Sequence, residues 1–223
     1  MKHVFSNIHD ILLSFSVQPQ TNGSLPMLPS RELLARRFFE TSSFKHDPIN
    51  KFKLSSGELS PFYVDCKNLV SVPEARNLLA ELAYKTLRSL PSFDCIGGLE
   101  IGSIAMTTTI SDRAFRSTPS LSWPTFVVRK LPKEHGLKKL IEGSVEPGWK
   151  AVIVDDVLTS GGSVIKAIEA ARDAQLTVTD VLVIVDREEQ QGRQKVEIRG
   201  VKLHSLLTIR DLEEAARPAL VSS

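Results

Sequence analysis

Short strand-like runs at 93–96, 125–128, 151–154, 181–185 and 201–207 alternate along this chain with stretches whose apolar residues recur three and four positions apart. Continuous apolar runs of this length suit buried strands, and the three-four spacing suits amphipathic helices. Helices are expected over 31–44, with Ser30 as N-cap and Leu33, Leu34, Arg37, Phe38 and Thr41 along one stripe, and over 73–87, with Pro73 in the first turn. The same spacing predicts helices over 104–114, 164–171 and 209–216. Phe38 and Phe39 are expected in the core. Residues 52–65 alternate enough to form strands on both sides of a Ser55-Ser56-Gly57 turn. Strands and helices taking turns from about 72 to 185 predict an α/β fold, a doubly wound and mostly parallel sheet with right-handed crossovers. The 52–65 segment would add a small N-terminal hood. Residues 1–29, broken by Pro19, Gly23, Pro26 and Pro29, read as an appended or poorly ordered extension to one domain over 30–223.

Composition narrows the function classes. With 28 Lys plus Arg against 26 Asp plus Glu, the net charge of +2 gives no whole-protein reason to expect nucleic acid. Cys66 and Cys95 have neither metal-ligand spacing nor the numbers for a disulfide framework, so a reduced, cytoplasmic setting is expected. No secretory signal or membrane span is legible, and no membrane partner is expected.

The chemistry concentrates where strands end. In AVIVDDVLTSGGSVIKAIEAAR, an apolar strand leads to Asp155 and Asp156, then to Thr159-Ser160-Gly161-Gly162-Ser163 and a helix. Glycines and hydroxyls opening a helix aim several backbone N–H groups at one spot, where the helix dipole also favours negative charge, so a phosphate fits there. The carboxylates upstream would repel a phosphate and suit sugar hydroxyls or a metal-bound sugar attached to it. The spacing matches neither GxxxxGK[ST] nor GxGxxG; an ordinary strand-to-helix turn is the alternative. Gly97-Gly98-Leu99-Glu100-Ile101-Gly102-Ser103 follows another strand, and its glycines would let backbone approach a ligand. After 125–128 comes the basic run from Arg129 to Lys139, which alone reads as a solvated face or nucleic-acid patch. Arg187 follows 181–185 and suits either a substrate carboxylate or a salt bridge to Glu188 or Glu189. His204 sits in a strand and reads as structural. In an open parallel sheet these clusters share the edge at the strands' carboxyl ends, which argues for one site.

The DDxxTSGGS segment resembles the phosphoribosyl-diphosphate (PRPP) motif of type I phosphoribosyltransferases. The run Arg129-Lys130-Leu131-Pro132-Lys133-Glu134-His135-Gly136, with Ile141-Glu142-Gly143 beyond it, resembles the flexible catalytic loop of orotate phosphoribosyltransferases, and the 54–65 segment resembles their hood. The resemblance covers roughly 31–215. It implies the type I phosphoribosyltransferase fold and transfer of a phosphoribosyl group from PRPP to orotate, giving orotidine 5′-monophosphate and pyrophosphate in pyrimidine biosynthesis. Asp155 and Asp156 would hold the ribose and Thr159, Ser160, Gly161, Gly162 and Ser163 the 5′-phosphate, with Val157 and Leu158 also in the PRPP-binding segment. Glu100, Ile101 and Gly102 would meet the pyrophosphate through backbone amides. Arg129, Lys130, Lys133 and His135 would draw off the leaving diphosphate, and Tyr63, Val64, Thr159 and Arg187 would seat orotate. The resemblance also implies Mg²⁺ carried mainly by PRPP, with no metal site of the protein's own, and a homodimer whose basic loop reaches the neighbouring subunit. Two departures stand out: some family members have lysine at the positions of Ser55 and Ile101. The rival expectations are another base as acceptor, or a non-catalytic PRPP-sensing regulator on the same fold.

Overall fold

The computed structural model describes residues 30–49, 51–53, 57–118, 120–131 and 140–220. The 1–29 segment and the Ser55-Ser56 turn lie outside the described residues. Helix α1 (Ser30–Glu40) is shorter than the apolar pattern suggests. The Ser43 amide donates to Phe38 O (2.8 Å) and the Ser42 amide to Phe39 O (2.9 Å), with Ser42 at φ 54°. This left-handed cap stops the helix. The chain then forms β1 (Phe44–His46), which takes Phe44, the last residue of the expected helix, into a strand. Phe38 is fully buried as expected, whereas Phe39 is 42% exposed, because the stripe facing the core is narrower than two adjacent residues.

The hood is two antiparallel pairs. The hairpin of β2 (Phe52–Lys53) and β3 (Leu59–Ser60) lies on either side of the expected turn. β4 (Phe62–Val64) pairs with β1 instead, and the Phe62 ring stacks on His46 at 4.9 Å. Helix α2 (Cys66–Ser71), capped by Asp65 accepting from the Lys67 amide, links the hood to α3 (Pro73–Arg88).

The rest of the described chain is β5 (Cys95–Leu99), α4 (Gly102–Ser117), β6 (Thr125–Val128), β7 (Ile141–Glu142), β8 (Lys150–Leu158), α5 (Gly162–Asp173), β9 (Thr177–Asp186), α6 (Gly192–Glu197), β10 (Lys202–Thr208) and α7 (Ile209–Leu220). The strands build a six-stranded sheet in the order β10-β9-β8-β5-β6-β7, parallel except for the edge strand β7. Alternate side chains fix both faces. Val152, Val154, Leu182 and Ile184 join α1, α3, α4 and α7 in one core, while Ala151, Ile153, Val181 and Val183 join α5 and α6 in the other. Each fully buried Val, Leu or Ile contributes about 1.5–3 kcal/mol, so burial on both faces places the strands.

Two expectations at β5 change. The strand runs to Leu99, so Gly97 and Gly98 lie inside it and are not part of a ligand loop. A Cβ on Gly97 would stand 2.5 Å from the Phe126 ring, and one on Gly98 2.0 Å from Val154 O. Close packing against neighbouring strands is what requires glycine there.

Candidate active site

Sheet order supplies the frame. The chain leaves β5 toward β6 and β7, then returns to β5's other flank with β8, so the direction of winding reverses between β5 and β8. Loops leaving the carboxyl ends of such a strand pair diverge and open a crevice. One wall is Glu100 to Gly102, leading into α4; the other is 155–163, leading into α5. They meet where a Cβ on Gly102 would stand 3.0 Å from the Asp156 carboxylate. A cavity of about 270 Å³ opens on the α4 side, lined by Cys66, Val70, Ile101, Gly102 and Asp156 among others.

The two carboxylates are still within β8, so they point to opposite faces of the sheet. Asp156 is half-buried on the α4 side. Asp155 is only 5% exposed, and its Oδ1 accepts from the Asp156 amide at 3.1 Å. Burial, reinforced by the neighbouring Asp156 charge, pushes the Asp155 carboxyl well above the usual carboxylate range.

Beyond Leu158 the chain turns into α5 through Gly161, at φ 82° and ψ 0°. No side-chain hydrogen bond caps α5, and its first bond runs from the Ile165 amide to Gly161 O at 2.9 Å. The first-turn amides, with exposed Gly162 and Ser163, therefore face the crevice mouth as an anion cradle. A Cβ on Gly161 would lie 2.9 Å from Val196 Cγ2 and 3.2 Å from Gly192 O. Gly161→Ala is expected to cost about 1–2 kcal/mol of stability and to raise the KM for a phosphorylated substrate. Thermal denaturation and steady-state kinetics check both.

On the β5 side, the Glu100 amide donates to Val128 O at 2.8 Å, and its Oε1 accepts from the Lys130 amide at 2.8 Å. This carboxylate ties the crevice wall to the start of the basic run. Ile101 is 70% exposed at the rim. Arg129 donates from Nε to Leu131 O (3.2 Å), and its Nη1 lies 3.7 Å from Glu142 of β7. Lys133 and His135 lie outside the described residues.

Arg187, just past β9, is 4% exposed. Its Nε donates to Glu189 Oε2 at 3.1 Å, and its Nη2 to Ser60 Oγ (2.6 Å), Phe62 O (3.0 Å) and Glu189 Oε1 (3.4 Å). The Nε–Nη2 edge is thus occupied, leaving Nη1 without a partner among the described residues. Tyr63 faces outward on β4, its ring tilted against Phe52 at 5.6 Å and its hydroxyl 3.4 Å from Asp65; Val64 is half-buried. The larger cavity beyond Arg187, about 580 Å³, is lined by Asp186, Glu188, Glu189 and Glu197, with Arg193 already paired to Asp186 and Glu197. Its excess of carboxylates disfavours a polyanionic ligand.

No family model matches the chain. Among curated proteins, the orotate phosphoribosyltransferase of Pyrococcus abyssi is 38% identical over 187 residues, covering 83% of this chain and 97% of that protein. This chain belongs to the orotate phosphoribosyltransferase family. The Aquifex aeolicus member is 37% identical over 187 residues, covering 83% of this chain and 99% of its own. The Mycobacterium tuberculosis enzyme, solved in complex with PRPP, matches at a TM-score of 0.64 and 27% identity over 83% of this chain and 99% of that one.

For an orotate phosphoribosyltransferase, the expected residues gather unevenly. Asp156 and Gly102 meet at the crevice, with the 159–163 turn following at the end of β8, and Glu100, Ile101, Arg129 and Lys130 form the β5–β6 side. Asp155 stands behind Asp156, more deeply buried than an acid meeting solvent-borne hydroxyls needs to be. Tyr63, Val64 and Arg187 gather around the hood, one strand farther along. Sequence reasoning did not assign a role to Ser60, and treated Glu189 only as an alternative ion-pair partner. The DREE run at 186–189 carried the signal for Glu189; no local pattern marked Ser60, whose contact spans 127 residues. His204 is structural as expected, paired with Asp180 at 2.8 Å.

Proposed function

We propose that this orotate phosphoribosyltransferase moves the 5-phosphoribosyl group of PRPP onto orotate, giving orotidine 5′-monophosphate and pyrophosphate in pyrimidine biosynthesis. The observation carrying the reading is the β5/β8 reversal, with Gly102 and Asp156 meeting between the loops that leave these strands. The 5′-phosphate sits at the α5 N-terminus on the amides of 160–163. Asp156 meets the ribose at the crevice, with Asp155 buried behind it and accepting from its amide. The diphosphate lies along Ile101 and Gly102, the Glu100 amide being taken by Val128 O, under the basic run that begins with Arg129 and Lys130 and continues through Lys133 and His135. Orotate lies toward the hood, with its carboxylate on Arg187.

Bond breaking at C1 then needs little beyond placement and charge. Negative charge accumulates on the departing diphosphate, where cationic and amide donors stabilise it, and positive charge accumulates on the sugar beside the acid pair. No covalent nucleophile is required. Mg²⁺ is read as a passenger of the substrate, with the half-buried Asp156 as the hard oxygen donor at the crevice. When bound, it neutralises diphosphate charge. The reading includes a homodimer with the basic loop acting across subunits, and a cytoplasmic location. Among the described residues no helix is long and apolar enough to cross a membrane. Sedimentation showing a monomer at assay concentration would remove the dimer.

Mixing the protein with PRPP, Mg²⁺ and each of orotate, uracil, adenine and hypoxanthine tests the function. Pyrophosphate release is expected with orotate and at least about 100-fold less with uracil, which lacks the charged group Arg187 would meet. Release with a purine alone overturns the base assignment, and none with any base favours a PRPP sensor.

A further inference from the structure

The network around Arg187 does more than bury an arginine. Ser60 Oγ donates to Glu189 Oε1 at 2.9 Å while accepting from Arg187 Nη2 at 2.6 Å and from the Phe62 amide at 3.2 Å. Ser60 and Arg187 are both buried, although one lies on β3 and the other just past β9, strands of separate sheets. A second strap joins the same elements: the Gln190 amide group bonds the Glu58 carboxylate. The β2–β3 hairpin has only two residues per strand and no ladder to the six-stranded sheet. A hairpin of that size is not stable by itself, so these polar contacts carry much of its placement.

The loop after β9 is held under strain. Glu188, Gln190 and Gln191 have φ of 54°, 51° and 56°, a region that non-glycine residues enter at a cost of about 1–2 kcal/mol each. Such conformations persist where surrounding contacts over-determine them, and they cluster at functional sites. Here they bracket Glu189 and bring its carboxylate against the guanidinium Nε–Nη2 edge. A flexible arginine would offer any of three faces to a ligand. This one has a fixed plane with Nη1 as its open nitrogen.

We infer that Glu189 and Ser60 are positioning residues for base selection: together they orient Arg187 so that Nη1 meets the carboxylate of the acceptor base, and they lock the hood hairpin to that same geometry. The inference rests on the proposed function, since it presumes a carboxylated base at Arg187. Seating the base would then depend on the hood and the arginine as one unit, while PRPP, held at the β5/β8 crevice, would not register the brace.

Steady-state kinetics on Glu189→Gln, Ser60→Ala and Arg187→Met, with denaturation midpoints alongside, test this. Glu189→Gln and Ser60→Ala are each expected to raise the KM for orotate about tenfold, the loss of one charge-assisted bond's worth of orientation. The KM for PRPP should stay within twofold. Ser60→Ala removes one oxygen and guards against a Glu189 variant that fails to fold. The positioning role is overturned if Arg187→Met raises the orotate KM while both brace variants leave it within twofold, or if the brace variants raise both KM values together, as general loosening would. If Arg187→Met itself leaves the orotate KM unchanged, the assignment of Arg187 to the base fails, and the brace falls with it.

Discussion

Arg187→Met is expected to raise the KM for orotate by one to two orders of magnitude and to leave the KM for PRPP within twofold. A charge-assisted hydrogen bond to a buried arginine contributes about 1.5–3 kcal/mol, or about 10- to 150-fold in affinity. Methionine keeps the stem's volume and apolar packing while removing all five donors. The variant also leaves Ser60 Oγ and Phe62 O without their guanidinium partner, so some stability is lost. That loss is separable from function. Instability acts on both substrates through the fraction folded, whereas removal of a base contact acts on orotate alone. An orotate KM unchanged in a folded Arg187→Met protein would make the Glu189 ion pair the arginine's whole purpose.

The contrast between Arg187 and the phosphate loop shows what a sequence makes legible. Thr159 to Ser163 follow one strand and open one helix, so backbone geometry over a dozen residues determines where their amides point, and the strand-to-helix order read from spacing agrees with the structure. The alternation of apolar runs likewise predicts a parallel sheet, because strands buried on both faces must be apolar throughout. Contacts over long separations leave no local trace. The occupied Nε–Nη2 edge of Arg187 depends on Ser60 and Phe62, more than a hundred positions away. Boundaries fail where two short-range signals compete. The pattern extends α1 to residue 44, but the left-handed Ser42 cap stops it at Glu40, and Gly97-Gly98 looks like a ligand turn until Phe126 and Val154 are seen pressing on it. Asp155 and Asp156 read as a loop pair, yet β8 carries them in strand conformation to opposite faces, which makes one a crevice residue and the other a buried acid.

That burial separates stability from activity at Asp155. Asp155→Asn is expected to lower kcat/KM by about 10- to 150-fold, one charge-assisted hydrogen bond's worth, because a bound substrate cation favours the ionised carboxylate that asparagine cannot supply, while making the unliganded protein more stable near pH 8. The sign follows from linkage. The folded-state pKa is raised to about 8 by burial and by the Asp156 charge, against about 4 in the unfolded chain. Between those values the unfolded carboxyl has released its proton and the folded one retains it, so folding stability falls as pH rises from about 4 to about 8 and levels off above that. Asparagine has the same shape, can still accept from the Asp156 amide, and does not titrate. Urea denaturation of both proteins at pH 5, 6, 7 and 8 therefore isolates the group, since other titrations are common to the pair and cancel in the difference. The difference in unfolding free energy should grow in the variant's favour with each step upward in pH, reaching on the order of 1–3 kcal/mol, the mutational scale for a poorly compensated buried polar group. A difference flat across that range would mean that Asp155 is solvated or paired in solution. A variant both more stable and fully active would remove the acid from the reaction altogether, leaving Asp156 as the sole carboxylate beside the sugar.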